Sequence, residues 1–110
     1  MISGGSRVLA ILGDPVAHSL SPAMQNAAFR ALGLSAVYVP LRCSAEDLPL
    51  LLRALGRAGG GGNVTVPHKE LAARSVDTCR ELAETVEACN TFWSENGRIV
   101  GDNTDVPGLV

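Results

Sequence analysis

The stretch RVLAILG, residues 7–13, decides the fold class, because it is a short apolar run that leads into turn-forming residues. Such a run is typical of a β-strand that is covered on both faces, as in the middle of a parallel sheet. A helix signal follows at Ser21-Pro22, with serine at the N-cap and proline at the first helical position. Gly33 would end this helix. Its apolar residues would be Met24, Ala27, Ala28 and Leu32.

The next segments repeat this alternation of strand and helix. Ala36 to Leu41 (AVYVPL) is rich in strand-forming residues, and Pro40 favours a sheet edge or a strand end. Residues 44–47 resemble a capping box, with Asp47 in place of the usual glutamate. A leucine-rich helix should follow and end near Gly56.

The middle of the chain predicts a strand with one polar face. Residues 63–66 (NVTV) alternate, so Asn63 and Thr65 should lie on one face of the strand and the two valines on the other. The glycine run 59–62 is interpreted as a flexible lead-in. After Pro67 we expect one helix from about residue 68 to 74, and a second to about residue 86 that Asp77 or Thr78 would cap.

The last third predicts a hairpin. Cys89 to Ser94 and Arg98 to Gly101 read as two strands joined at Asn96-Gly97, the dipeptide typical of two-residue hairpin turns. Pro107 could begin another helix, so we expect that the chain continues beyond residue 110 in its parent. We predict one α/β domain over residues 1–110: a mixed, mostly parallel sheet with a C-terminal hairpin and helices on both faces, a three-layer sandwich.

Composition narrows the classes of function. The 110 residues are 46% hydrophobic and 18% charged, and the net charge is -2 with scattered arginines, which argues against binding of nucleic acid or an anionic membrane. No apolar run is long enough for a membrane span, and the N-terminus lacks the features of a secretory signal, so we expect a cytoplasmic protein. Cys43, Cys79 and Cys89 indicate neither a disulfide framework nor a metal site, and we expect small buried side chains.

The first of three polar clusters is GDPVAHSLSP, residues 13–22, directly after the first strand. A loop there that leads into a helix N-terminus can bind an anion through free backbone N–H groups. The hydroxyls of Ser19 and Ser21 add donors without charge, which fits the carboxylate of a small substrate. Alternatively, Ser21 only caps its helix and Ser19 only pairs with the loop backbone.

The second cluster is Asn63, Thr65 and Lys69. Amide and hydroxyl groups suit sugar-like hydroxyls. Lys69 is the only lysine, while the other eight cations are arginine. Lysine can release its proton in a tuned environment and so act as a general acid or base, which arginine cannot do. A chance lysine in an arginine-biased sequence remains the alternative.

The third cluster joins EACNT, residues 87–91, to GDNTD, residues 101–105, across the predicted hairpin. Asn90 and Asp105 should therefore approach one site, with Asp105 as the carboxylate partner of Lys69. Turn and cap roles for Asn103 and Asp105 are the alternative.

Together the segments GDPVAHSLSPAMQNAAF, GGGNVTVPHK, EACNT and GDNTD resemble, in order and spacing, the N-terminal substrate-binding domain of the shikimate dehydrogenase family. The resemblance implies reduction of 3-dehydroshikimate to shikimate with NADPH, in the route to aromatic amino acids. It implies that Ser19 and Ser21 hold the substrate carboxylate and that Asn63, Thr65, Asn90 and Asp105 bind ring hydroxyls. Lys69 and Asp105 would form the catalytic pair, with Lys69 as proton donor or as orienting group.

The sequence departs from the family pattern at three places. Gln25 stands where many members have histidine, a feature shared with the quinate/shikimate branch, and EACNT replaces the commoner GAVNT. Val106-Pro107-Gly108 follows NTD where many members have glycine at once.

The family's Rossmann-type domain, with its glycine-rich loop for NADP, does not occur in this sequence. We therefore expect the substrate half of a two-domain enzyme, inactive alone, whose partners are shikimate or 3-dehydroshikimate and its own NADP-binding domain. The alternatives are a quinate/shikimate dehydrogenase and a non-catalytic module that binds a hydroxylated carboxylic acid.

Overall fold

The computed structural model describes residues 2–14, 21–65 and 67–104, with the backbone but not the side chains of residues 21, 22 and 82. Within these ranges the strands are β1 (Arg7–Gly13), β2 (Ala36–Arg42), β3 (Gly61–Val64), β4 (Thr78–Cys79), β5 (Thr91–Glu95) and β6 (Arg98–Asp102). The helices are α1 (Ser21–Leu32), α2 (Leu48–Arg57), α3 (Lys69–Ser75) and α4 (Glu81–Val86).

The strands form one mixed sheet in the order β2-β1-β3-β5-β6-β4. β1 pairs in parallel with β2 and β3, and β4 with β6, while β5 runs antiparallel to both of its neighbours. The connections β1-α1-β2 and β2-α2-β3 cross the sheet in opposite directions, so right-handed crossovers place α1 and α2 on opposite faces. The predicted mixed, mostly parallel sheet between two helical layers is confirmed.

The main core lies on the sheet face that α2 and α3 cover. Leu48 and Leu52 of α2 are fully buried there. They pack in one cluster with residues that alternate along the strands, because successive side chains of a strand point to opposite faces. The cluster also contains Ala10, Leu12, Cys43, Val64, Ala72, Cys89, Phe92 and Ile99.

Most of the predicted elements are confirmed within one or two residues. β1 has the predicted bounds and lies inside the sheet, and β2, which contains Pro40, lies at its edge. The hairpin turn is also as predicted, with Asn96 at φ 52° and Gly97 at φ 78°. Two consecutive residues with positive φ are what a type I′ turn requires. The helix predicted at Pro107 lies outside the described residues.

The interpretation of the glycine run as a flexible lead-in is wrong. Gly61 and Gly62 are buried residues of β3, which begins and ends two residues earlier than predicted. A Cβ atom on Gly62 would lie 1.9 Å from the Ala10 carbonyl oxygen of β1. The glycines therefore allow a close approach of two backbones.

The predicted cap of the fourth helix is also wrong, because α4 begins only at Glu81. Thr78 and Cys79 instead form β4 and pair with Val100 and Gly101 of β6. The Asp77 carboxylate accepts a hydrogen bond from the Ile99 backbone rather than from a helix end. A two-residue strand carries too little periodicity to be distinguished from a helix start.

Two helix expectations need correction. Met24 and Leu32 of α1 are 70% and 72% exposed. Among the described side chains of this helix, Asn26 and Phe29 are the partly buried ones. Only half of the capping box before α2 forms. The Ser44 hydroxyl accepts from the Asp47 N–H at 3.3 Å, as predicted. The Asp47 carboxylate accepts from the Ser44 hydroxyl and not from the Ser44 N–H. α2 then begins at Leu48.

Candidate functional site

The three polar clusters follow strand ends that lie at one edge of the sheet. β1, β3 and β6 run in the same direction and end at this edge, and the antiparallel β5 begins there. Asp14, Thr65 and Asn103 come directly after the three ending strands, and Asn90 directly precedes β5. Ligands of open α/β sheets bind at the carboxyl ends of the parallel strands. The topology therefore brings the strand ends next to the three clusters to one edge of the sheet.

Not every predicted residue falls within the described ranges. Asn63, Thr65, Lys69 and Asn90 do. Ser19 and Asp105 lie outside, and Ser21 is described only as the first residue of α1.

A row of polar residues crosses the sheet on the face opposite the main core. Asn63 of β3 is the register partner of Thr91 of β5, and Thr91 is the register partner of Asp102 of β6. Residues directly opposite on paired strands share a face. All three are partly exposed, whereas Val64 on the other face is 2% exposed. The alternation predicted from NVTV is thus confirmed for Asn63 and Val64.

A tight turn after β3 places Lys69 at the first residue of α3. The Thr65 N–H donates to the Leu12 carbonyl of β1 at 2.9 Å, and the Thr65 carbonyl accepts from the His68 N–H at 3.1 Å. His68 is 4% exposed, and its Nε2 lies 2.7 Å from the Cys43 carbonyl oxygen. This buried contact ties the turn to the end of β2.

Lys69 and Asn90 are held next to each other by the backbone. The Lys69 carbonyl accepts from the N–H of Cys89 at 2.9 Å, and the carbonyl of Asn90 accepts from the N–H of Val64 at 2.9 Å. Lys69 is partly exposed, beside a depression of about 260 Å³ that Pro67, Glu70 and Ala88 also line. The Lys69 side chain is therefore accessible from this depression.

The Asn90 side chain organises the end of the hairpin. Its Oδ1 accepts from the Thr104 N–H and from the Thr91 hydroxyl, each at 3.0 Å. Its Nδ2 donates to the Thr104 hydroxyl at 3.0 Å. Asn90 is 8% exposed. It therefore fixes Thr104 beside the start of β5. The predicted approach of Asp105 to this site stays a prediction, because Asp105 lies outside the described residues.

Asn63 connects this group to the far side of the sheet. Its Nδ2 lies 3.3 Å from the Asn90 carbonyl oxygen and 3.2 Å from the Thr91 hydroxyl. Its Oδ1 accepts from the hydroxyl of Tyr38 at 2.6 Å. Asn63, Thr91 and Asn90 therefore form one hydrogen-bonded group.

Tyr38 is a contributor that the sequence analysis did not identify. It lies on β2, separated from Asn63 by β1, and it is 3% exposed. The Asn26 side chain of α1 holds its backbone, donating to the Tyr38 carbonyl at 2.7 Å and accepting from its N–H at 2.8 Å. Burial raises the pKa of the Tyr38 hydroxyl to about 12. The only sequence signal is that Tyr38 is the one tyrosine of the chain.

The cysteines have the environment of small core side chains. Cys43 and Cys89 are buried and Cys79 is partly buried, and all three are free thiols. Burial is the largest cause that raises the pKa of each thiol, so the neutral form is favoured. Among the described residues, no group of three His, Cys, Asp or Glu could hold a metal ion. In the same part of the chain, no helix is long and apolar enough to cross a membrane.

The sequence matches a known protein family. The model of the shikimate dehydrogenase substrate binding domain matches residues 11–92, which is well over half of the chain. The chain belongs to this family. The match contains the first two clusters and Asn90, and it ends before residues 101–105.

Individual members of the family agree with this result. A shikimate dehydrogenase (NADP(+)) of Methanothermobacter thermautotrophicus is 42% identical over 111 residues, covering 100% of this chain and 39% of that relative. A second, from Geobacter metallireducens, is 46% identical over 110 residues, covering 99% and 38%. The chain thus spans about two fifths of the length of these curated relatives.

Solved structures of the family share the fold. A shikimate dehydrogenase in complex with NADP+ superposes with a TM-score of 0.90 at 38% identity, covering 99% of this chain and 38% of that one. The shikimate 5-dehydrogenase of Thermus thermophilus in complex with shikimate gives 0.85 at 43% identity, covering 94% and 40%. The mixed sheet described above is therefore the fold of this family domain.

Proposed function

We propose that this chain binds shikimate and 3-dehydroshikimate as the substrate-binding part of an NADP-dependent shikimate dehydrogenase. The observation that carries the proposal is the convergence of Asn63, Lys69 and Asn90 at one sheet edge, where the Asn63 amide nitrogen lies 3.3 Å from the Asn90 carbonyl oxygen. Relatives named as shikimate dehydrogenases (NADP(+)), and one solved in complex with shikimate, support the choice of substrate.

The polar groups suit a ring that carries hydroxyls and one carboxylate. In the proposal, Asn63, Thr65, Asn90 and Asp105 contact the ring hydroxyls through neutral donors and acceptors or through a carboxylate. Ser19 and Ser21 hold the substrate carboxylate near the N-terminus of α1. This 12-residue helix has no acidic residue in its first turn, so its positive dipole end favours an anion.

Reduction of the ring carbonyl requires a hydride at carbon and a proton at oxygen. Lys69, with Asp105, is the proposed source of that proton, because an amine and a carboxylate can position the oxygen and share its proton. When the oxygen instead loses its proton, in the oxidation of shikimate, the same pair accepts it.

The described residues do not fit a dinucleotide. The four-glycine run among them, residues 59–62, ends inside β3. A Cβ on Gly60 or Gly62 would lie 1.9 Å from a backbone oxygen of β1, so these glycines serve strand packing and not a phosphate loop. No step on this chain is therefore assigned to the nucleotide. In the proposal a second domain binds NADP and delivers the hydride, and the 110 residues alone bind substrate without turnover. A cytoplasmic location remains a prediction.

Calorimetric titration of the chain with shikimate tests the proposal. We expect weak, saturable binding that Ser19→Ala and Lys69→Ala each weaken by about fivefold or more, because each removes a polar contact to the ligand. Arg57→Ala is the matched control for Lys69→Ala, because it removes an exposed cation at the end of α2. No binding by a chain whose circular dichroism shows the folded state would contradict the proposal.

A parallel titration with quinate separates the alternative substrate. Gln25, the departure that favours the quinate/shikimate branch, is exposed on α1. Tighter binding of quinate than of shikimate would shift the proposed substrate to that branch, and Gln25→His should then reverse the preference.

A further inference from the structure

A chain of side-chain hydrogen bonds crosses the sheet and fixes what the two site asparagines can offer a ligand. It runs from Tyr38 to Asn63, Thr91, Asn90 and Thr104, with every donor–acceptor distance between 2.6 and 3.2 Å. We name these five residues the relay. The relay links β2, β3, β5 and the segment after β6.

The orientation of the Asn90 amide follows from the backbone. The Thr104 N–H can only donate, so the atom 3.0 Å from it must be the acceptor Oδ1. The Thr91 hydroxyl donates to the same oxygen at 3.0 Å. This bond uses the second lone pair of the Asn90 Oδ1 atom. The Nδ2 group gives one hydrogen to the Thr104 hydroxyl. Asn90 therefore has one N–H left and can meet a ligand only as a donor.

The orientation of the Asn63 amide is fixed in the opposite sense. The Asn90 carbonyl oxygen can only accept a hydrogen bond. The Thr91 hydroxyl also can only accept from Asn63, because its hydrogen is donated to Asn90. The Asn63 atom that faces both must therefore be Nδ2, the donor. Both of its hydrogens are thereby used. Oδ1 then faces Tyr38, whose hydroxyl must be the donor of the 2.6 Å bond. Asn63 keeps one free lone pair and can meet a ligand only as an acceptor.

We infer that Tyr38 and Thr91 are positioning residues that make Asn63 an acceptor and Asn90 a donor toward the substrate ring. The inference rests on the proposed function, because it takes these two amides as substrate contacts. Its consequence is a specificity rule: the ring oxygen at Asn63 must be a hydroxyl that donates, and a ketone or an ether is rejected there. The ring oxygen at Asn90 must accept.

The surroundings of Tyr38 suit such a role. The residue is 3% exposed, and Asn26 holds both polar groups of its backbone, so the hydroxyl has a fixed position. A buried donor in a fixed position resists reorientation of the amide it contacts. Burial raises the pKa of this hydroxyl to about 12, so it keeps its hydrogen at neutral pH.

The test compares Tyr38→Phe with a matched control in the 110-residue chain. Tyr38→Phe keeps the ring but removes the donor. Ser75→Ala removes another buried hydroxyl, which donates to the Leu71 carbonyl at 2.7 Å within α3 and is not part of the relay. We expect Tyr38→Phe to weaken shikimate binding by about fivefold, the effect of one lost hydrogen bond, and Ser75→Ala to leave it within about twofold.

A second readout needs no ligand. In spectra of the isotope-labelled, ligand-free chain, Tyr38→Phe should shift the side-chain amide signals of Asn63, and Ser75→Ala should not. If Tyr38→Phe fails to fold, Thr91→Val replaces it, and Thr91→Ser, which restores the hydroxyl, should recover both the amide signals and the affinity.

The outcomes separate the relay from the proposed function. Unchanged Asn63 signals in Tyr38→Phe, or an unchanged affinity when the parent binds shikimate, overturn the inference. If the parent does not bind shikimate, the proposed function fails, and the amide signals alone test the relay. A shift of the Asn63 signals in Tyr38→Phe supports the relay, and the absence of a shift overturns it.

Discussion

Asp77 pairs with both backbone polar groups of Ile99. Its N–H donates to the Ile99 carbonyl at 2.8 Å, and its Oδ2 accepts from the Ile99 N–H at 2.8 Å. Arg53 of α2 contacts the other carboxylate oxygen at 3.0 Å. One residue between α3 and β4 thus joins the connecting segment to β6 and to a helix on the core face. This explains why residues 78–79 form a strand instead of a helix start.

The first prediction is a pH dependence that originates at Asp77. The Ile99 N–H and then Arg53 lower the pKa of this carboxyl in the folded chain below its ordinary value. A lowered pKa means stability that is present above the unfolded pKa, near 4, and is lost as the pH falls through the folded pKa. Asp77→Asn should therefore be less stable than the parent at pH 7, and the difference should shrink below about pH 4. Urea unfolding of both proteins between pH 2.5 and 7 measures this difference. A difference in the free energy of unfolding that stays constant over this pH range would contradict the prediction.

The second prediction concerns the close approach of β1 and β3. Gly62→Ala places a Cβ atom 1.9 Å from the Ala10 carbonyl oxygen, and neither backbone can move without breaking the pairing of the two strands. We expect a loss of more than about 3 kcal/mol in the free energy of unfolding, or no folded protein. Gly4→Ala is the control, since its Cβ would meet nothing within 4 Å. Thermal denaturation distinguishes the two variants. Equal melting temperatures would contradict the prediction, because they would mean that a Cβ atom fits between β1 and β3.

Comparison of these elements with the sequence shows what a pattern can and cannot predict. The apolar run RVLAILG predicted β1, and the alternation of NVTV predicted the polar side of β3, because both patterns are local properties of the chain. The packing of Gly62 against Ala10 and the bond from Tyr38 to Asn63 depend on strand register, which no local pattern contains. For the same reason the sequence could place Asn63 and Asn90 near one edge of the sheet, but it could not predict the hydrogen-bond partners of their side chains.

The third prediction concerns His68, which lies directly before Lys69. Its Nε2 contact with the Cys43 carbonyl is buried, so His68→Ala leaves that carbonyl without its partner and creates a cavity. We expect the free energy of unfolding to fall by about 2 kcal/mol or more. Because His68 also precedes the first residue of α3, the shikimate affinity should fall as well. His68→Gln, whose amide can reach the same carbonyl, should recover part of both losses. Urea unfolding and the titration described above measure them.

The fourth prediction uses a departure from the family pattern. Glu87 ends α4 with φ 55° and ψ 35°, a left-handed conformation, at the position where the commoner GAVNT has glycine. A residue with a Cβ atom pays about 1–2 kcal/mol there, while glycine costs about 0.5–1 kcal/mol in unfolded-chain entropy. Glu87→Gly should therefore raise the free energy of unfolding by about 0.5–1 kcal/mol.

Glu87→Ala decides whether conformation is the cause of that gain. It removes the same carboxylate but keeps a Cβ atom in the left-handed region, so it should leave the stability close to that of the parent. Equal gains from glycine and alanine would instead assign the effect to the charge of Glu87 in a chain whose net charge is -2. A gain from glycine alone means that this sequence tolerates a strained helix end two residues before Cys89, whose N–H holds Lys69 in place. In that case the shikimate affinity of Glu87→Gly should equal that of the parent, because the substitution relieves strain without moving the hydrogen bonds of the site.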